Sequence, residues 1–381
     1  MLARHLIFLP VFLIAFIGAT SKKALAEQEP KQASQKTKDL NNSLLNELPF
    51  DDKDSFVHAR RGFIAPLPDN GVIKNKDGNT VWDIGKFDFI KENSAAPETV
   101  NPSLWRQSQL VKLSGLFKVS DKIYQVRSAD LSNITFIEGP TGIIVVDPLI
   151  STETAKAAAD LYFKHRPKRP IVAVIYTHSH VDHYGGVRGI ISEKDVKSGK
   201  VKIIAPEGFI EHAVSENVMA GNAMSRRASY MYGNILPQSS VGQVGAGLGM
   251  TTSSGTISLI PPTKIITKNL EKINLGGLNF VFFLAPNSEA PAEMFFYIQQ
   301  YKALCTAEDA THTLHNTYTL RGAQIRDPLA WSKYLNEAIN IWGNDTNVLF
   351  APHHWPVWET KNIVNHLKIQ RDMYRFINDQ T

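Results

Sequence analysis

The run Ile171-Val172-Ala173-Val174-Ile175 leads, after Tyr176, into Thr177-His178-Ser179-His180-Val181-Asp182-His183, and Gly185-Gly186 follows. An unbroken apolar, β-branched run predicts a strand buried on both faces. Three histidines and an aspartate crowd its end. Imidazole nitrogens and a carboxylate oxygen suit zinc, and an interrupted ligand set suits a site that keeps positions open for water. The four residues supply only part of a two-metal site, so the fold must bring further ligands to the same strand end.

With 43% hydrophobic and 20% charged residues in 381, the balance is globular, enough for one large domain with appendages. The net charge of +5 includes Arg4, Lys22 and Lys23 of an expected leader, so it gives no ground for nucleic-acid binding. Arg4 and His5 precede the apolar run Leu6 to Gly18, which is short for a bilayer span. Ala24-Leu25-Ala26 offers small residues for cleavage. Residues 1–26 are therefore expected to be a signal peptide, and the protein to be periplasmic or secreted, without a stable membrane anchor. An uncleaved anchor is the alternative. Cys305 is the single cysteine, so no disulfide can form within the chain, and its neighbours Ala303 and Leu304 predict a buried, inert thiol.

Residues 27–115 read as a polar, flexible lead-in to about Pro49, then an extension wrapped onto the main domain through Val81, Trp82, Phe87, Phe89 and Trp105. The main domain is expected over 116–360. Lys122 to Val126, Ile134 to Glu138 and Gly142 to Val146 predict a strand meander. Thr152 to His165 predicts a helix capped by Ser151, Val201 to Ala205 a strand, and Pro206 to Met219 a helix. Further strands are expected at Thr256 to Ile260, Leu278 to Leu284, Met294 to Gln299, Ala303 to Thr306 and Val348 to Phe350, with helices at 328–341 and from Lys361. Two strand-rich, helix-linked halves in this order predict an α/β protein with two sheets face to face and helices outside, αββα. In 361–381, Ile363, Leu367, Met373, Tyr374 and Ile377 fall near one helical face interrupted by Gln370. That segment reads as the start of a further helical part with nothing after it to pack against. Gly242-Gln243-Val244-Gly245-Ala246-Gly247-Leu248-Gly249 reads either as a flexible loop or as an anion cradle.

The remaining ligands are expected at strand ends. Glu289 follows Phe282-Phe283-Leu284, Glu308 follows Ala303-Leu304-Cys305-Thr306, and His353 follows Val348-Leu349-Phe350. Six further stretches stand out: Ala59-Arg60-Arg61-Gly62-Phe63-Ile64-Ala65, Arg226-Arg227-Ala228-Ser229-Tyr230-Met231-Tyr232-Gly233, Glu289-Ala290-Pro291-Ala292-Glu293-Met294, Thr313-Leu314-His315-Asn316, Leu320-Arg321-Gly322-Ala323-Gln324-Ile325-Arg326-Asp327 and His353-His354-Trp355-Pro356. Together with the histidine motif, they make the chain resemble the metallo-β-lactamase-fold alkyl sulfatases, the secreted SDS-hydrolase group, over nearly everything from about Phe50 on.

The resemblance implies a metallo-β-lactamase sandwich and two zinc ions. His178, His180 and Glu289 would hold the first, Asp182, His183 and His353 the second, and Glu308 would bridge both. It also implies that Asn316, Arg321 and Arg326 bind a sulfate head. The chemistry agrees, since a guanidinium fork meets two sulfate oxygens at once and lysine does not. His315, rather than His312, is the expected proton donor to the departing group. The implied reaction is hydrolysis of alkyl sulfate esters to an alcohol and inorganic sulfate by a hydroxide shared between the metals. Met219, Met224, Tyr230, Met231, Tyr232, Leu248 and Met250 are candidates for an apolar channel around the tail. The resembled enzymes continue into dimerisation and sterol-carrier-like domains, so a homodimer weakened by their lack is expected. Lactam, thioester or phosphodiester hydrolysis on the same fold, and metal binding with little turnover, are the alternative readings.

Overall fold

Two sheets dominate the computed structural model, which describes residues 30–381. The leader expected over 1–26 lies outside the described residues. The first sheet runs in the spatial order Phe63–Ala65, Gly115–Ser120, Ile123–Arg127, Ile134–Glu138, Ile143–Val146, Ile171–Ile175, Lys202–Pro206 and Lys264–Ile266. Its first five strands pair antiparallel. From Ile143–Val146 onward the pairs are parallel, because crossovers such as the helix Thr152–His165 return the chain to the same end. The second sheet runs Glu271–Leu275, Leu278–Leu284, Met294–Ile298, Ala303–Cys305, Val348–Phe350 and Val357–Trp358. There Ala303–Cys305 and Val348–Phe350 run parallel, with the helix Pro328–Trp342 in the crossover, and the other pairs are antiparallel.

Alternation along each strand sorts the side chains into layers. Phe280 and Phe282 pack with Ile137, Ile144, Ile175 and Ile204 between the sheets. Val281 and Phe283 pack with Trp331, Leu335, Ile363 and Leu367 of the helices Pro328–Trp342 and Thr360–Gln380. On the far side, Val145, Val174 and Ile203 pack with Ala158, Leu161 and Tyr162 of Thr152–His165. The order is helix, sheet, sheet, helix, as the sequence predicts. Each phenylalanine buried there contributes roughly 1.5–3 kcal/mol. A one-residue slip would send it to the wrong face, so register is fixed. The extension joins the same core: Phe63–Ala65 forms a sheet edge, Val81, Trp82, Phe87 and Trp105 are buried, and Phe89 packs against them.

Four local expectations change. Gln35–Glu47 is helical rather than irregular, because the Ser34 side chain caps it by accepting from Thr37 N–H; none of its residues is buried. Thr256 to Ile260 forms no strand, because its backbone bonds elsewhere: the Thr256 carbonyl accepts from Thr152 N–H and Ser258 N–H donates to Gly185. The helix expected to end at Met219 divides into Phe209–Val214 and a π-helical turn, Ser215–Met219, and a further helix, Gly221–Tyr232, follows. Thr360–Gln380 does have a packing partner. It lies on Pro328–Trp342 with Ile363, Leu367 and Tyr374 buried, and Gln370, which breaks its apolar face, donates to the Thr311 carbonyl at 2.8 Å. Among the described residues, no helix is long and apolar enough to cross a membrane.

Candidate metal centre

Strand ends assemble the site. The central strand Ile171–Ile175 delivers the histidine motif, and Met294 N–H bonds the Thr177 carbonyl while Glu293 bridges His178 through its backbone. The loop bearing Glu289 is thereby laid beside His178. Parallel pairing puts the ends of Ala303–Cys305 and Val348–Phe350 at one edge, so Glu308 and His353 meet. His178, His180, Glu289 and Glu308 form one group of facing ligand atoms; Asp182, His183, Glu308 and His353 form a second. His178 Nε2 lies 3.4 Å from both Glu289 Oε2 and Glu308 Oε2, and His180 Nδ1 lies 2.9 Å from Glu289 Oε2. His353 Nε2 lies 3.3 Å from Asp182 Oδ2 and from Glu308 Oε2, and His183 Nε2 lies 3.1 Å and 3.3 Å from the same two atoms.

Two divalent cations fit this donor set. The Nε2 atoms of His178, His180, His183 and His353 and Oε2 of Glu289 are buried without a hydrogen-bond partner among the described residues. Such atoms cost about 1–3 kcal/mol each if nothing satisfies them. Burial alone would raise Glu308, but His353 and hydrogen bonds from His178, His183 and His315 hold it well below the usual carboxylate range. Asp182, also desolvated, is held low by His183 and His353. In return, Glu308 and Asp182 overcome burial and lift His353 to about 10. A proton and a cation compete for the same imidazole nitrogen, so cation binding releases protons and weakens as pH falls.

Behind the ligands, Asp147 Oδ2 lies 3.1 Å from His183 Nδ1 and accepts from Thr177 Oγ1 at 2.7 Å. His353 Nδ1 lies 3.1 Å from the Leu248 carbonyl, which aims Nε2 at the cluster. The Glu293 carboxyl accepts from Glu308 N–H at 3.1 Å, Ala290 N–H at 2.8 Å and Ser288 Oγ at 3.1 Å. Asp309 accepts from Glu289 N–H at 3.3 Å. Burial, and then neighbouring carboxylates, push Glu293 and Asp309 well above the usual range. Asp147, Ala307 and His354 adopt left-handed φ of 53°, 46° and 61° beside the ligands, strain that the surrounding packing must hold. A Cβ at Gly185 or Gly186 would collide with the carbonyls of Ile150 and Pro148, so two glycines let the motif press onto the Asp147 loop.

A cavity of about 820 Å³ opens over Glu289 and Glu308. Met224, Met231, Tyr232 and Leu248 line it as expected of a channel. Met219 and Tyr230 are exposed instead, and Met250 is buried in the core with Ile260. His315, Asn316, Arg321 and Arg326 also line the cavity. Each guanidinium already holds a carboxylate. Arg326 bonds the Glu289 side chain and carbonyl, and its Nη1 donates to Asn316 Oδ1 at 2.7 Å and to His315 Nδ1 at 2.9 Å. Arg321 Nη1 lies 2.9 Å from Glu216 Oε2. With Arg326 donating to Nδ1, the His315 proton sits on Nε2, 2.9 Å from Glu308 Oε1. His312 stacks on Trp355 at 4.3 Å, with Nε2 at the Trp355 carbonyl. The glycine-rich loop presents carbonyls to imidazoles, Leu248 to His353 and Gly247 to His354.

Sequence reasoning missed Asp147, Glu216, Glu293 and Asp309. Asp147 follows the strand Ile143–Val146 as Glu308 follows Ala303–Cys305, so the strand-end rule applied there would have found it. Glu216 lies in a helical stretch and carries no such signal.

The family model of the Metallo-beta-lactamase superfamily matches residues 127–353. A linear primary-alkylsulfatase of Pseudomonas sp. is 64% identical over 370 residues, 97% of this chain and 55% of that protein. An (R)-specific secondary-alkylsulfatase of Pseudomonas sp. is 47% identical over 372 residues, 97% of this chain and 56% of that protein. The structure of a stereoselective inverting sec-alkylsulfatase from Pseudomonas sp. superposes with a TM-score of 0.89 at 48% identity, covering 92% of this chain and 55% of that one. The chain thus spans a little over half the length of these relatives. Two ligand groups on facing strand ends, the helix–sheet–sheet–helix order and the match over 127–353 together make the chain a member of the metallo-beta-lactamase superfamily, homologous to alkylsulfatases.

Proposed function

We propose that the chain hydrolyses alkyl sulfate esters to an alcohol and inorganic sulfate with two zinc ions, one on His178, His180 and Glu289, one on Asp182, His183 and His353, and Glu308 shared. The observation that carries this reading is the adjacency of the double ligand group to an apolar-walled cavity bearing two arginines. The relatives' names, which speak of alkylsulfatases, support the substrate class.

Bound cations there would lower the pKa of a shared water towards neutrality and so supply a nucleophile at physiological pH. The residues of the chain do the rest. Arg321 and Arg326 take the sulfate oxygens, and their charge favours the form of the ester in which negative charge has grown. Arg326 also fixes the His315 tautomer, leaving an Nε2–H beside Glu308 that can donate a hydrogen bond to the departing oxygen as negative charge grows on it. Asn316 holds Arg326 in line. Met224, Met231 and Leu248 receive the tail and keep water from it. Periplasmic or extracellular location rests on the sequence of 1–26 alone, and a homodimer on the resemblance alone.

The test is release of inorganic sulfate from octyl sulfate by the zinc-loaded chain in isotope-labelled water. Sulfate and octanol should appear in equal amounts, and the labelled product identifies the bond cleaved. Turnover of a lactam, thioester or phosphodiester panel without sulfate release would reject the reading.

A further inference from the structure

The two carboxylates paired with the cavity's guanidiniums stand in different positions. Glu289, bonded to Arg326, is also a candidate metal ligand. Glu216, bonded to Arg321, belongs to neither ligand group. It arrives on the π-helical turn Ser215–Met219, a kind of turn that is rare and concentrates at functional sites. Its side chain lines the same cavity, with Oε2 3.9 Å from His180 Nε2, between the arginine and the metal end. Its Oε1 is buried with no hydrogen-bond partner among the described residues. Arg321 therefore meets only one of its two oxygens, and the carboxylate's charge stands beside a cavity that, on the alkyl sulfate reading, takes an anion.

On the alkyl sulfate reading, shape cannot separate a sulfate monoester from a phosphate monoester, since both heads are tetrahedral and similar in size. Charge can. The sulfate ester carries one negative charge. The phosphate ester carries close to two above its second pKa of about 6. We infer that Glu216 is a specificity-determining residue: its charge, held beside Arg321, admits monoanionic esters and disfavours dianionic ones of the same tail. Repulsion from Glu216 is doubled for the dianion, and the low-dielectric wall strengthens it.

Octanesulfonate, a non-hydrolysable monoanion, and octyl phosphate, a dianion at about pH 8, separate the possibilities when their binding to the full zinc-loaded chain is measured by calorimetry. The wild type should prefer octanesulfonate. Glu216→Gln should move the ratio of the two dissociation constants towards octyl phosphate by about tenfold or more. Glu216→Asp, which keeps the charge, should keep the wild-type ratio even if both ligands bind less tightly. An unchanged ratio in Glu216→Gln, or an equal shift in Glu216→Asp, overturns the inference. Failure of octanesulfonate to bind the wild type overturns the alkyl sulfate reading first, and the inference with it.

Discussion

The two ends of the cavity are built differently. At the floor, His178, His183, Glu289 and His353 are buried on strand ends, locked by ladder bonds and by Asp147 and Glu293. At the mouth, the helical stretch 215–232 and the irregular segment 313–327 leave Val218, Tyr230, Leu320 and Ile325 between 65% and 80% exposed. Between these two mouth elements, Glu216 pairs with Arg321 and the Arg227 side chain lies against Gly322. The candidate ligands are therefore fixed by strand ends, whereas Arg321 and Met231 ride on elements with much exposed surface, and His315 and Arg326, buried on 313–327, tie the mouth to the floor through Glu308 and Glu289. Changes at the mouth can alter what binds without dismantling the floor.

Breaking the floor should have the largest effect. Glu308→Ala removes the residue common to both ligand groups, so metal content by elemental analysis should fall from about two ions per chain to one or none, and hydrolysis to background. Full activity with both ions bound would remove Glu308 from the centre. Glu293→Ala comes next. It leaves the Glu308 and Ala290 N–H groups without acceptors, at about 1–3 kcal/mol each. The melting temperature should drop by several degrees and metal should be lost more readily to a chelator, with Glu293→Gln intermediate. Asp147→Asn should weaken metal binding by about 10–100-fold in chelator competition, with the fold intact.

A smaller effect concerns acid. Burial pushes His366 down to about 4. The unfolded chain takes up that proton from about pH 6.5 downward, and the folded chain resists until about 4. This contribution to stability is present above the unfolded value and is lost as pH falls through the window to the folded one. Urea midpoints of His366→Leu should fall less steeply there than those of the wild type, and equal slopes would clear His366. The smallest effect belongs to the mouth. Met231→Ala should leave metal content and melting unchanged and raise KM for octyl sulfate several-fold, at roughly 0.8 kcal/mol for each methylene of the tail left in water. A large drop in melting temperature would show that the mouth is packed as tightly as the floor.

The sequence is legible where periodicity and local chemistry decide structure. Ser151 caps its helix by accepting from Thr154 N–H, and the apolar runs ending near Glu308 and His353 are strands. The seven residues expected as ligands come together because each leaves a strand at the same edge. Glu271–Leu275 was missed because its Glu, Lys and Asn belong to a half-exposed edge strand and break the apolar pattern. The partners of the arginines were not legible either. Arg321 finds Glu216 across 105 residues and Arg326 finds Glu289 across 37, distances over which no local pattern reaches.

The parallel pair Ala303–Cys305 and Val348–Phe350 also sets an order of events in time. Parallel neighbours can close only after the chain between them, helix included, has turned back, and such non-local closure is slow. Until then Glu308 and His353 share no neighbourhood, and the second ligand group stays incomplete. Metal should therefore leave the rate of refolding unchanged and slow unfolding, acting as a bolt on a door that has already shut.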